Sequence, residues 1–101
     1  MQLEITETDE GFRLKGELDM ATAEDLSELL KTAAAKDDPI VLDLSGVSFM
    51  DSSGLRALLE AAGLPTGGPV VIQDPSPQVR RVLDISIPGG TPGLEVRPPS
   101  G

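Results

Sequence analysis

Val41-Leu42-Asp43-Leu44-Ser45-Gly46-Val47-Ser48-Phe49-Met50-Asp51-Ser52-Ser53-Gly54-Leu55 decides the reading of this chain. The segment opens within Ile40-Val41-Leu42-Asp43-Leu44, a nearly continuous apolar run. That is the pattern of a strand covered on both faces, as in a parallel sheet. Ser45 to Met50 reads as a short connection, and Asp51-Ser52-Ser53-Gly54 as the start of a helix. The apolar face of that helix is Leu55, Leu58, Leu59 and Ala62, and Gly63 and Pro65 end it. In α/β sheets, functional groups are presented beyond the carboxyl ends of the strands. Attention therefore falls on Ser52 and Ser53. One reading makes them helix caps. The other makes Ser52 a modification site. Free backbone N–H groups and the positive end of the helix dipole would favour a phosphate there. A phosphate adds roughly −1.5 to −2 charge at neutral pH. Next to Asp51, it would spoil an interface without any refolding.

The flanks supply the rest of an α/β domain. Leu3 and Ile5, then Phe12 and Leu14, alternate with polar residues around Asp9-Glu10-Gly11, which predicts a β-hairpin. Ala21 to Lys36 predicts a helix buried along Leu26, Leu29, Leu30, Ala33 and Ala34. Thr22 with Asp25 resembles a capping box, and Glu24, Asp25 and Lys36 suit the helix dipole. Asp37-Asp38-Pro39 breaks the chain. Pro69-Val70-Val71-Ile72 predicts another buried strand after the loop Thr66-Gly67-Gly68. Ser76-Pro77 starts a third helix with core face Val79, Val82 and Leu83. Leu94-Glu95-Val96 predicts a last short strand. The fold class is α/β, a mixed four- to five-stranded sheet with packed helices in the order ββαβαβα, plus the last strand where it forms. Residues 1–97 read as a single domain and 98–101 as a flexible tail.

The chain of 101 residues is long enough for one core without staples. A net charge of −9 argues against nucleic acid and against anionic membranes, both of which need clustered Lys and Arg. It points to a protein partner with a basic surface. The sequence contains no Cys and no His, so thiolate zinc sites and Ser-His-Asp triads are excluded. Stacking platforms are not expected, with Phe12 and Phe49 as the only aromatics. The start, Met1-Gln2-Leu3-Glu4, lacks the pattern of a secretory signal, and cytoplasm is the expected compartment.

Three blocks resemble the STAS domain family, in its anti-sigma-factor antagonist form. They are Gly16-Glu17-Leu18-Asp19 with Ala21-Thr22-Ala23; Leu42-Asp43-Leu44-Ser45-Gly46-Val47 running into Phe49-Met50-Asp51-Ser52-Ser53-Gly54-Leu55; and Pro75-Ser76-Pro77 with Val79-Arg80-Arg81-Val82-Leu83. The resemblance implies the STAS fold and a non-catalytic partner switch. It implies that Ser52 is phosphorylated by an anti-sigma factor that is itself a serine kinase. The unmodified antagonist holds that kinase and so frees a sigma factor, and a serine phosphatase resets phospho-Ser52. ATP and magnesium belong to the kinase, so no cofactor is expected in this chain. Asp51, Ser53 and Gly54 would shape the partner-binding loop, with Asp19 near it. From the residues alone, Asp19 is equally a solvated turn residue. The second helix is shorter than relatives usually have, and Ile87-Pro88-Gly89-Gly90-Thr91-Pro92-Gly93 replaces a short apolar turn. An alternative job for the same fold is an accessory subunit of a lipid-transport ATPase, or of a larger signalling assembly, without phospho-switching.

Other constellations carry less. Asp37-Asp38 reads as a turn rather than a metal site, having no further oxygen ligands nearby. Glu4, Glu7, Asp9 and Glu10 read as an acidic hairpin edge that discourages pairing. Arg80-Arg81 reads as a surface ion-pair element. Gly67-Gly68 is too short for a phosphate loop. A serine hydrolase would need a base for Ser52, and neither Lys31 nor Lys36 is placed for it.

Overall fold

The structure is a computed structural model that describes residues 3–9, 11–34, 39–63, 69–88 and 91–97. The elements are β1 (Leu3–Glu7), β2 (Gly11–Leu18), α1 (Ala23–Ala34), β3 (Ile40–Met50), α2 (Ser52–Ala62), β4 (Val70–Gln73), α3 (Pro77–Ser86) and β5 (Leu94–Arg97). They form one five-stranded sheet in the order β1-β2-β3-β4-β5. β1 and β2 pair antiparallel, and the other three pairs are parallel. Each parallel step is crossed by one helix. Right-handed crossovers between neighbours taken in sequence put every helix on the same face. Buried Leu14, Leu42, Leu44 and Ile72 of that face meet Leu26, Leu30, Leu58, Val79 and Leu83 of the helices in one cluster. The opposite face carries a cross-strand row of Thr6, Arg13, Asp43, Gln73 and Arg97.

The expected order ββαβαβα holds, and the last strand forms as β5 on the sheet edge. The larger correction is β3, which does not stop near Leu44 but runs eleven residues to Met50. Its register against β2 slips between Arg13 and Lys15 and again between Gly16 and Glu17. At each slip β3 carries one extra residue, the signature of a β-bulge. Leu44, Val47 and Met50 are therefore all buried at intervals of three, while Ser45, Gly46, Ser48 and Phe49 are exposed. A period-two reading takes this for a connection.

The helix starts also differ from expectation. α1 begins at Ala23 rather than Ala21. Ala21 and Thr22 belong to the turn, where both donate backbone N–H groups to Asp19 Oδ1, at 3.0 and 3.2 Å. The Thr22 hydroxyl does not form a capping box with Asp25. It donates to Glu17 O at 2.7 Å and accepts from Asp19 N at 3.1 Å. Ser76 occupies the N-cap position of α3 with no side-chain cap, because its hydroxyl donates to Val47 O. Gln78 meets the end of β3, accepting from Met50 N at 2.8 Å. The bulged half of β3 thus gains side-chain partners where β4 no longer reaches. The expected Asp37-Asp38 turn, the Gly67-Gly68 loop, Pro65, Lys36 and the 98–101 tail lie outside the described residues.

Candidate functional site

The ends of β2 and β3 and the start of α2 meet at one place. Asp51 N donates to Leu18 O at 3.0 Å, which carries the strand pairing one step into the loop. Asp51 has extended backbone, with φ −111° and ψ −171°, and its side chain caps α2. Oδ1 accepts from Ser53 N at 2.8 Å and from Gly54 N at 3.3 Å, and Asp51 O accepts from Leu55 N at 3.1 Å. The cap is therefore Asp51, and neither serine is one. Ser52 is the first residue of α2 and is exposed, Ser53 is half-buried and Gly54 is buried. A Cβ on Gly54 would stand 2.7 Å from Leu18 O and 2.8 Å from Leu18 Cβ. Only glycine allows the first turn of α2 to sit this close to the end of β2.

The turn from β2 to α1 lies alongside. Asp19 is its organising residue through the Ala21, Thr22 and Thr22-hydroxyl bonds, and Thr22 is only 4% exposed. Asp19 follows Leu18 directly, so it adjoins the Asp51 loop, but its carboxylate is engaged in its own turn. Met20 at the tip is 80% exposed. Beneath it α1 and α2 bound an open concavity of about 280 Å³, lined among others by Met20, Glu24, Ser52, Ser53, Arg56 and Glu60. It runs into a second hollow of about 350 Å³ that includes Ser27, Lys31 and Glu60. Of the residues singled out in the sequence, Ser52 and Ser53 reach this surface, while Asp51, Gly54 and Asp19 build the frame behind it.

Met20 and Arg56 were not legible as site residues. Neither belongs to a motif: Arg56 stands one turn along α2 from Ser52, and Met20 comes to the same concavity from the turn before α1. Ser52 has no imidazole to activate it, since the chain contains no His, and Lys31 lines the farther hollow. Among the described residues no group of three or more acidic, His or Cys side chains comes together as a metal site. No described helix is long and apolar enough to cross a membrane.

A family model described as "Mlab, STAS domain" matches residues 1–86. The chain belongs to the STAS domain family. An anti-sigma F factor antagonist of Paenibacillus polymyxa is 38% identical over 78 residues, covering 73% of this chain and 67% of the relative. An anti-sigma factor antagonist from Mycobacterium paratuberculosis superposes with a TM-score of 0.69 at 29% identity, covering 93% of this chain and 84% of that one. The anti-sigma factor antagonist SpoIIAA in its unphosphorylated form superposes with a TM-score of 0.62 at 26% identity, covering 95% and 88%.

Proposed function

We propose that this protein is an anti-sigma-factor antagonist that works as a phosphorylation-controlled partner switch. The similar proteins carry that name, and one of them is described in an unphosphorylated form. The observation that carries the reading is the position of Ser52, exposed at the first residue of a helix whose start is pinned to Leu18 and capped by Asp51. A hydroxyl presented this way changes charge without moving the backbone. In the unmodified state the surface around Met20 and Ser52 docks an anti-sigma factor that is itself a serine kinase, and the sigma factor is freed. In the kinase, Ser52 Oγ attacks the γ-phosphorus of ATP. The Oγ–P bond forms, the bond to ADP breaks, and the hydroxyl proton passes to a base of the kinase. The added dianion beside Asp51 and the −9 chain ends the docking. A serine phosphatase returns the hydroxyl by hydrolysis. The cycle belongs to the cytoplasm, where ATP and the transcription machinery are, and this chain does no catalysis of its own.

Affinity capture from native cells with two baits, Ser52→Ala and Ser52→Asp, tests the reading. A serine kinase held by the first bait and absent from the second is the expected result. The same transporter or assembly components on both baits would instead select an accessory-subunit role, which the short α2, ending at Ala62, also suits. Failure of the folded Ser52→Ala bait to hold any kinase would sink the switch.

A further inference from the structure

Arg56 lies four residues after Ser52 on α2, and both side chains line the concavity beneath Met20. Side chains at that spacing on a helix stand one above the other. Three other arginines hold a carboxylate: Arg13 with Asp43, Arg80 with Asp84 and Arg97 with Glu95. Arg56 is exposed and, among the described residues, has no carboxylate within the 4.0 Å of an ion pair, although Glu24 and Glu60 line the same concavity. The start of α2 has little left to offer a phosphate, because Asp51 already occupies the Ser53 and Gly54 N–H groups. Among the described residues, the guanidinium one turn along is the one cationic donor in the lining of that concavity.

We propose that Arg56 is the internal ligand of a phosphate on Ser52, an inference that rests on Ser52 being the modified residue. The guanidinium reaches back one turn and takes two phosphate oxygens in the forked geometry that Arg forms and Lys does not. One modification then alters the docking face twice. It adds a dianion, and it withdraws the cation that unmodified Arg56 offers to a partner carboxylate. The charged groups that face the phosphate are Asp51 at the cap, Glu24 on α1 and Glu60 and Arg56 on α2. The three carboxylates raise the phosphate's second pKa, and Arg56 lowers it.

The test places phosphoserine at position 52 during synthesis, so it depends on no kinase, and follows the phosphate by ³¹P NMR through its titration near about pH 6. The wild-type phosphate should titrate lower than that of Arg56→Ala by about half a pH unit or more, a difference of about 0.7 kcal/mol in the phosphate's preference for its doubly charged form. Arg56→Lys should fall between them. Arg81→Ala, which removes the same charge from α3, should leave the titration unchanged. Coincident titrations of wild type and Arg56→Ala would overturn the proposal. So would large shifts of the Ser53 and Gly54 amides with Arg56→Ala silent, since the phosphate would then have displaced Asp51 from the cap. A positive titration with a failed kinase capture would discard the switch and keep the Arg56 contact, and the reverse pair of results would do the opposite.

Discussion

Asp51 and Ser52 are adjacent, yet the structure separates their duties. Asp51 satisfies two N–H groups that the first turn of α2 would otherwise leave unpaired. Ser52, one residue on, has an exposed side chain. Asp51→Ala should therefore cost about 1 kcal/mol of stability, the usual worth of an N-cap. Ser52→Ala should stay within about 0.5 kcal/mol of wild type, as surface changes do. Urea unfolding followed by circular dichroism measures both. Equal losses would mean that the hydroxyl shares the cap, and the division of labour would be wrong.

At the scale of elements, α2 is held at both ends. Gly54 brings its first turn onto the end of β2, and Gly93 brings the start of β5 onto its last turn. Gly93 has φ +85°, and a Cβ there would stand 2.3 Å from Ala62 O. Its carbonyl also accepts from Val70 N at 2.8 Å, so the same residue joins α2, β4 and β5. Gly93→Ala should destabilise the protein by about 1–3 kcal/mol through backbone strain and overpacking. The unfolding midpoint in urea reads this directly, and a change under about 0.5 kcal/mol would show that β5 shifts freely against α2. Gly93, the last residue of the Gly- and Pro-rich stretch before β5, thus lays the last strand against a short second helix. Arg80, expected as a surface ion-pair residue, pairs with Asp84 one turn on at 3.6 Å. That exposed contact adds little.

At the scale of the whole molecule the two faces of the sheet differ in kind. One is buried under three helices, while the other carries the row through Arg13 and Asp43. Burial pushes the Asp43 carboxyl up. The backbone N–H and hydroxyl of Ser45 and the Arg13 guanidinium outweigh it, and the net pKa lies below the usual 3.8. Arg13 stands 3.3 Å away and Ser45 N 2.9 Å. A carboxyl whose pKa is depressed on folding adds stability above its unfolded value, and that stability is lost as pH falls through the folded value. The gap in urea midpoint between wild type and Asp43→Asn should be full at neutral pH and close as pH falls below about 4. A gap that persists unchanged at about pH 2 would mean that packing, not charge, sets the role of Asp43. This face lies across the sheet from Ser52, so the same substitution should leave partner capture as it was.

Much of the fold was legible because burial has a period. Leu26, Leu29 and Leu30 mark a helix, and the run at Ile40 to Leu44 marks a strand. A strand covered on both faces was expected there, but the structure buries Ile40, Leu42 and Leu44 and leaves Val41 and Asp43 half-buried. Turn chemistry placed the hairpin, and the order of elements then limited the sheet to few arrangements. The segment Asp51-Ser52-Ser53-Gly54 stood out without any structure, because a short polar group between a buried strand and a helix is where such folds present chemistry. The second half of β3 was not legible. Its two bulges break the period-two pattern, and only the length of β2 beside it makes Ser45 to Met50 a strand. The cap was not legible either, since Asp, Ser and Ser are all good candidates and φ and ψ choose among them. Nor was Met20, which only the placement of the turn before α1 beside α2 brings to Ser52, whereas Arg56 lies one turn along the same helix and simply belongs to no motif. Local preference, charge and periodicity are properties of neighbouring residues. By themselves they determined the class of fold and drew attention to the segment around Ser52, while the family resemblance singled out that serine as the expected modification site. Which groups share a surface depends on contacts between residues far apart in the chain, and only the tertiary structure decided that.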